Sequence, residues 1–539
     1  MLNTKRYFVV LLMQILKTSN EVKLKHRYFN VMKQTKTYDV VVIGSGLGGL
    51  VSALLLAQEG KKVCILEKNN QYGGNLQTFV RDKTIFDTGV HYIGALNKDE
   101  NLGRYFSYLN ILNDLDLAQL DQNQFDVISF GNETIQYPQA QGYDNFVKQL
   151  LVYFPTEEQS LKKYIETIQF YCDQFPLYNL KNGTGYNEEI MQHSVESVLN
   201  SITSNKKIQA VLLGNSFLYA IKATETPFYV HALTVNSYIQ SSWRCVKGGS
   251  QITKAFIKQL RSLNADLFKH QKVEKLNFKE NILQSCETVD CIYKADQFVS
   301  DIDLKQLFSM FNDENQRKPY IKRINQLKNG PSVFSVHIVL KPHAVPYFNH
   351  NIYHFDSEDN VFSYENNWID NKPQSVVITT NPHNQNEEFA QSISLMTYMD
   401  FKQVEKWQQT FNTVRNENDR GSDYEEFKRE IVNELLQILE KYFPNIQQNI
   451  VSIHTSSPLS YRDYIGTLDG TMYGFEKEAS QPLKTMISPK TKIDNLFLTG
   501  QNVRLHGILG VTITGFLTVA EMVGKDYFFD KVFKKVGYE

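Results

Sequence analysis

The chain has 539 residues, 42% of them hydrophobic, and a formal net charge of −1, so two domains with sizeable cores are expected and nothing in the charge points to nucleic acid. Its five cysteines, Cys64, Cys172, Cys245, Cys286 and Cys291, form no CxxC pair and leave one over in any pairing scheme, which favours a reducing compartment. The twelve histidines show no HExxH or Cys/His spacing, so no metal site is expected.

Residues 1–37 carry eight basic side chains against one acid, Glu21, around an apolar run from Tyr7 to Leu16. The run is too short for a spanning helix, which needs about 20 residues, and no small-x-small cleavage site follows it. Three readings stay open: an overlong gene start with Met32 as the working initiator, a basic tether at a membrane surface, or an export signal. The chain is read as cytoplasmic, with peripheral membrane contact as the alternative.

Tyr38 to Gly60 reads YDVVVIGSGLGGLVSALLLAQEG. Val40 to Ile43 form a β-prone run, the glycines at 44, 46 and 49 follow at GxGxxG spacing, and an apolar helical pattern starts at Leu47. In such a turn the first glycine permits the bend, the second lets amides approach a pyrophosphate, and the third lets helix and strand pack closely. A second strand, Val63 to Leu66, ends at Glu67, eighteen residues beyond Gly49, where a carboxylate can bind ribose hydroxyls and disfavours a 2′-phosphate. The unit suits FAD or NAD better than NADP.

Glu67-Lys68 is followed by Gly73-Gly74-Asn75 and by Phe86-Asp87-Thr88-Gly89-Val90-His91-Tyr92, and the chain closes with Leu496-Phe497-Leu498-Thr499-Gly500-Gln501-Asn502 and Leu505-His506-Gly507-Ile508-Leu509-Gly510-Val511. These segments resemble the flavoprotein family of phytoene desaturases, carotenoid isomerases and retinol saturases, closest to the retinol saturase branch, over about residues 38–527. The resemblance implies an α/β fold: a Rossmann-like FAD-binding domain, glutathione-reductase-like and of the amine-oxidase/GDI type, with an interleaved α+β substrate domain. It implies that FAD lies along Gly44, Gly46, Leu47, Gly49, Glu67, Lys68, Gly74 and Asn75, meets the backbone of Val273, and has its ring end at Gly500, Gly510 and Val511. The terminal helix would direct its positive end at the reduced flavin.

Between these ends the FAD-binding domain is assigned to 38–100, 241–305 and 490–539, and the substrate domain to 101–240 and 306–489. Strands are predicted at Phe125 to Phe130, Lys272 to Leu276, Gln297 to Ser300 and Val333 to Leu340. Helices are predicted from Tyr143 to Tyr153, after Gly248-Gly249, and from Tyr424 to Phe443, the last with a core-facing apolar rhythm. The abundance of Phe and Tyr is compatible with an oily pocket.

His91 and His506 lie in segments that resemble flavin-lining material; each can supply a proton or simply orient its own turn. Tyr464 and Tyr473 lie in Ser460 to Gly474, which resembles the segment closing over flavin and pocket, and are further candidate donors or structural tyrosines. Arg462 can hold the flavin phosphates or an internal acid. No Ser/His/Asp set or paired carboxylates stand out, which suits an enzyme whose flavin carries the hydride. The expected activity is oxidoreduction at a carbon-carbon double bond of a lipophilic polyene, retinol-like or carotenoid-like, by saturation, desaturation or isomerisation. No second GxGxxG is present, so electrons would come from a transient NAD(P)H, a carrier protein or a quinone. The alternatives are a flavin amine oxidase and a non-catalytic isoprenoid-binding protein of the GDP-dissociation-inhibitor fold.

Overall fold

A computed structural model describes residues 33–181, 183, 187–311, 319–413 and 420–537. The apolar run predicted as a strand is the end of β1 (Gln34–Ile43), which leads through the glycine turn into α1 (Leu47–Gln58) and then β2 (Val63–Leu66). Val40 to Ile43 and the whole of β2 are buried, as expected of central strands covered on both faces. A second parallel partner, β3 (Cys291–Ser300), runs along β1 from Gln34↔Cys291 to Ile43↔Ser300.

The first sheet is completed by Asp266–Phe268, parallel to the outer edge of β2, and by a divided partnership on β3. Its first half pairs antiparallel with Ile282–Glu287, which turns back to Lys275–Lys279; its second half pairs parallel with β4 (Leu496–Leu498). The long β3 thus brings the C-terminal segment beside the glycine turn. From β4 the chain enters α2 (Gly507–Val523), which packs on α1, where a Cβ on Gly515 would stand 2.5 Å from Val51 Cγ1.

The second sheet has seven strands in the order Ile450–Ser456, Ser332–Leu340, Ser392–Met399, Ser375–Thr379, Asn351–Phe355, Asp126–Phe130 and Tyr137–Gln139. One face packs on Ser422–Tyr442, whose Ile431, Leu435 and Leu439 join the cluster around Val336 and Ile338. Its other face, with Tyr353, Val377 and Met396, looks toward the first sheet and the helices Glu158–Asp173 and Phe228–Gln240.

Two expectations are corrected. Gln34 to Thr37 are not part of an N-terminal extension but the first residues of β1; they look like a polar tail because only β3 flanks them there. Residues 101–111 are not confined to the substrate domain: Leu102, Tyr105, Phe106 and Ile111 belong to the cluster that holds Leu50, Leu54 and Phe516, while Asn101 and Tyr105 also bond Ser237 and the Leu177 carbonyl. Residues 1–32, and so the apolar run from Tyr7 to Leu16, lie outside the described residues. Among the described residues no helix is long and apolar enough to cross a membrane, and no group of three or more His, Cys, Asp and Glu side chains forms a metal-binding cluster.

Candidate functional site

The site is built first from backbone. Gly44 turns at φ +98°, and a Cβ on Gly49 would stand 2.4 Å from the Gly44 carbonyl oxygen, so the turn requires glycine at both places. Gly46 caps α1 and, being glycine, offers no side-chain hydrogen bond to the first amides of the helix. Leu47, the first helical residue, is buried beside them. The turn at Gly73-Gly74 leans on this loop: the Gly73 amide donates to the Ser45 carbonyl at 3.0 Å, and a Cβ on Gly74 would lie 3.2 Å from Gly46 Cα. Asn75 and Lys68 line the same wall.

Glu67 extends from the end of β2 and is 5% exposed. Its carboxylate accepts from the Ser45 hydroxyl, from the Ser45 amide at 3.3 Å and from the Asn69 amide at 2.8 Å. The Gln271 amide donates to the Glu67 carbonyl at 2.8 Å and brings Val273 to the same end of the cavity. Lys68 is half-buried, and its partial loss of water holds its ammonium below the ordinary lysine range; it donates to the Asp463 carbonyl at 3.4 Å.

The C-terminal segment meets this cradle directly. A Cβ on Gly48 would fall 2.6 Å from the Gly500 amide nitrogen, and Gly500 itself turns at φ +93°. The helix α2 starts after His506 with no side-chain cap, so a second set of helix-start amides lies at the cavity wall, with Gly510 and Val511 on its first turns. Two helix N-termini, glycines where any Cβ would collide, and an acid at the end of β2 fit the pyrophosphate and ribose of a dinucleotide.

One residue of the cradle went unrecognised in the sequence. Asp301 follows β3, is half-buried, and lies against Gly46, Gly48, Gly49 and Gly500. The amides of Gly49 and Gly46 point toward it, yet Oδ2 lacks a partner in good geometry, and burial pushes its carboxyl up to about 7. The available signal was an acid one residue past a predicted strand of the dinucleotide sheet. Asp87 of the Asp-Thr-Gly segment has a structural role: it accepts from the Gly249 amide at 2.7 Å and ties its own turn to Gly248-Gly249.

A single cavity of about 2190 Å³ runs from this cradle into the space between the two sheets. Small-molecule sites commonly measure about 300–1,000 Å³, so the volume admits a dinucleotide and a second, long ligand together. The far chamber is walled by Phe175, Leu177, Phe217, Leu233, Val377 and Met396.

The candidate proton donors separate on geometry. His506 lies on the cavity wall, with Nε2 3.1 Å from the Leu218 carbonyl, and burial holds its imidazolium down to about 4; it is neutral near pH 7 and donates that proton to backbone. Tyr473 packs edge-on to it at 5.4 Å and donates to the Phe217 carbonyl at 2.7 Å, with burial raising its phenol above the ordinary range. His91 lines the cavity and makes no hydrogen bond among the described residues; burial, then Arg244, lowers it to about 4. Tyr464 is at the mouth, where its carbonyl accepts from Asn69 Nδ2 at 2.8 Å. Arg462 does not point at the cradle: it holds Asp463 at 2.7 Å and the carbonyls of Gln408 and Thr410. The internal-acid reading of Arg462 is therefore the one its contacts support.

Comparison with known proteins agrees with this geometry. A profile of NAD(P)-binding Rossmann-like domains matches residues 42–109. All-trans-retinol 13,14-reductase of Rattus norvegicus is 26% identical over 558 residues, covering 94% of this chain and 89% of the relative. Over nearly its whole length this chain is similar to the all-trans-retinol 13,14-reductases. A second relative, prolycopene isomerase 2 of an Oncidium hybrid cultivar, is 22% identical over 533 residues, covering 93% of this chain and 86% of that protein. A solved putrescine oxidase superposes with a TM-score of 0.61 at 15% identity, over 91% of this chain and 100% of that one, and this likeness concerns the fold alone. Both relatives are thus similar to this chain over an extent that includes Gly44 and Gly500.

Proposed function

We propose that this chain is an FAD-dependent oxidoreductase acting on a carbon-carbon double bond of a lipophilic polyene, with a retinol-like or carotenoid-like substrate. The observation that carries the proposal is the continuity of one cavity from a dinucleotide cradle to a chamber walled by Phe, Leu, Val and Met side chains. The names of the relatives, a retinol reductase and a prolycopene isomerase, support the same substrate class.

When bound, FAD supplies reversible hydride chemistry at its ring. The chain's own residues bind and orient. Gly46, Gly49 and Gly500 keep side chains out of the cradle, Glu67 stands where a ribose would be held, and the start of α2 presents amides where negative charge on a reduced ring would be stabilised. The apolar chamber excludes water and orients a polyene by shape. Reducing equivalents would arrive from a transiently bound nicotinamide, a carrier protein or a quinone.

The test is an absorbance spectrum of the purified chain, followed by anaerobic dithionite reduction and addition of all-trans-retinol or a carotenoid. Flavin bands that bleach and then return with the polyene support the proposal. Folded protein that binds no flavin would overturn it in favour of a non-catalytic isoprenoid carrier, and flavin that is reduced by amines instead would favour an amine oxidase.

A further inference from the structure

Behind the apolar chamber lies a buried polar chain that the cradle does not use. Tyr353, on Asn351–Phe355, and Tyr92 both line the cavity, and their hydroxyls are 2.6 Å apart. Tyr92 is also 2.8 Å from Asp126 Oδ2, and Asp126 Oδ1 accepts from Asn351 Nδ2 at 2.8 Å. Asn351 Oδ1 in turn accepts from Arg244 Nη2, and the two Nη groups also reach Tyr347 and the carbonyls of Phe348 and His350. Asp126, Asn351 and Arg244 are 0% exposed. The groups facing Asp126 are therefore Tyr92, Tyr353 and Tyr238, the guanidinium of Arg244, and the neutral amides of Asn351 and Asn215.

Donor arithmetic gives this chain two states. With Asp126 ionised, Tyr92 must donate to the carboxylate and Tyr353 to Tyr92, so Tyr353 offers the cavity only lone pairs. With Asp126 protonated, the carboxyl donates to Tyr92, Tyr92 donates to Tyr353, and the Tyr353 hydroxyl proton is left over for the cavity. Only hydroxyl rotations separate the two. The Tyr353 hydroxyl makes no other hydrogen bond among the described residues. Burial pushes the Asp126 carboxyl up to about 7 and both phenols above the ordinary tyrosine range, so near neutral pH the acid changes state while the tyrosines stay uncharged.

We infer that Tyr353 is the catalytic acid that protonates the polyene carbon, refilled through Tyr92 from Asp126. The inference rests on the polyene-reductase reading above. The balance is complete: saturation of a carbon-carbon double bond adds one hydride, with the electron pair of a reduced flavin, to one carbon and one proton to its neighbour. The Tyr353 O–H bond breaks as the new C–H bond forms, Tyr92 passes its proton to Tyr353, and Asp126 passes its own to Tyr92 and is left as carboxylate. Desaturation runs the same chain in reverse, with Asp126 accepting the proton.

Three variants and two readouts test this. In the reduced enzyme mixed anaerobically with all-trans-retinol, Tyr353→Phe should slow flavin reoxidation about 10²- to 10⁴-fold, the usual range for a lost general acid, with flavin content and reoxidation by oxygen unchanged. Wild-type reoxidation should fall as pH rises through about 7, and Asp126→Asn should abolish that dependence. Independently of turnover, the infrared spectrum of the flavin-free protein should show protonated-carboxyl absorption that fades above pH 7, and the wild-type-minus-variant difference should reveal one component that is lost in Asp126→Asn and shifted in Tyr92→Phe, apart from those of Asp87 and Asp301. A Tyr353→Phe enzyme that folds, holds flavin and reoxidises at the wild-type rate overturns the inference, as does a carboxyl band unaffected by Asp126→Asn. A wild-type enzyme that holds flavin but fails to react with any polyene overturns the functional reading itself and the inference with it.

Discussion

Replacing Asp301 by Asn probes the cradle most sharply, because the wild-type carboxyl lies under the glycine loop that would receive a pyrophosphate. Its carboxyl titrates at about 7 against an ordinary 3.8, chiefly through burial. At about 1.36 kcal/mol for each tenfold change, the ionised form costs the folded state up to about 4 kcal/mol. Water entering the open cradle screens part of this, and about 2 kcal/mol is the expected effect. The sign follows from linkage. A folded carboxyl with a raised titration point stabilises fully below the unfolded value of 3.8, and that contribution is lost as pH rises through about 7. Asp301→Asn keeps the shape and an acceptor for the Gly46 and Gly49 amides but has nothing to lose. Its advantage over wild type in urea unfolding of the flavin-free protein should therefore grow from pH 4 to pH 7 and level off above. FAD affinity of the wild type should also weaken across pH 7 more than that of the variant, since an ionised Asp301 repels phosphate. Equal stability differences at pH 5 and pH 8, or a variant less stable than wild type at pH 8, would refute the reasoning.

Gly46→Val would place its Cβ 2.5 Å from Asp301 Oδ2 and force the glycine turn out of shape, and the protein should purify without flavin; a yellow preparation counts against the phosphate assignment. Glu67→Ala should weaken flavin retention by about 1–3 kcal/mol if its carboxylate bonds the ribose, measured by titration of the flavin-free protein. Asp463→Asn removes the acid that holds Arg420 and Arg462 in a site where Asp463 is 0% and Arg420 5% exposed, and should cost about 3–5 kcal/mol in denaturant unfolding. A loss below about 1 kcal/mol would mean that the two guanidinium groups find other partners or water.

The parts legible in the sequence are those whose chemistry is local. A turn that needs glycine at 44, 46 and 49 shows itself in spacing, and an acid at the end of the next strand is fixed by the length of the unit, so the stretch from Gly44 to Glu67 could be read without a fold. Gly74, Asn75, Gly500 and the start of α2 were legible only through resemblance to a flavoprotein family. Asp301 was passed over because its meaning depends on where β3 ends relative to Gly46, a contact across 255 residues of sequence. Tyr92, Asp126 and Tyr353 are likewise brought together by a parallel pairing of Asp126–Phe130 with Asn351–Phe355, which no periodicity announces. Gln34 to Thr37 were misassigned because a strand paired on one side and open to water carries polar residues. The helix Asn101–Tyr108 has a clear amphipathic rhythm, but rhythm states that a face is buried and not which domain buries it.

The central claim is that one cavity holds a flavin and a polyene together. It is tested most directly by incubating the dithionite-reduced, flavin-loaded protein with all-trans-retinol under anaerobic conditions and following both partners. The account predicts return of the oxidised flavin spectrum in step with a retinoid product two hydrogens heavier. Reduced flavin that persists, with the polyene recovered unchanged across a panel of retinoids and carotenoids, would contradict it.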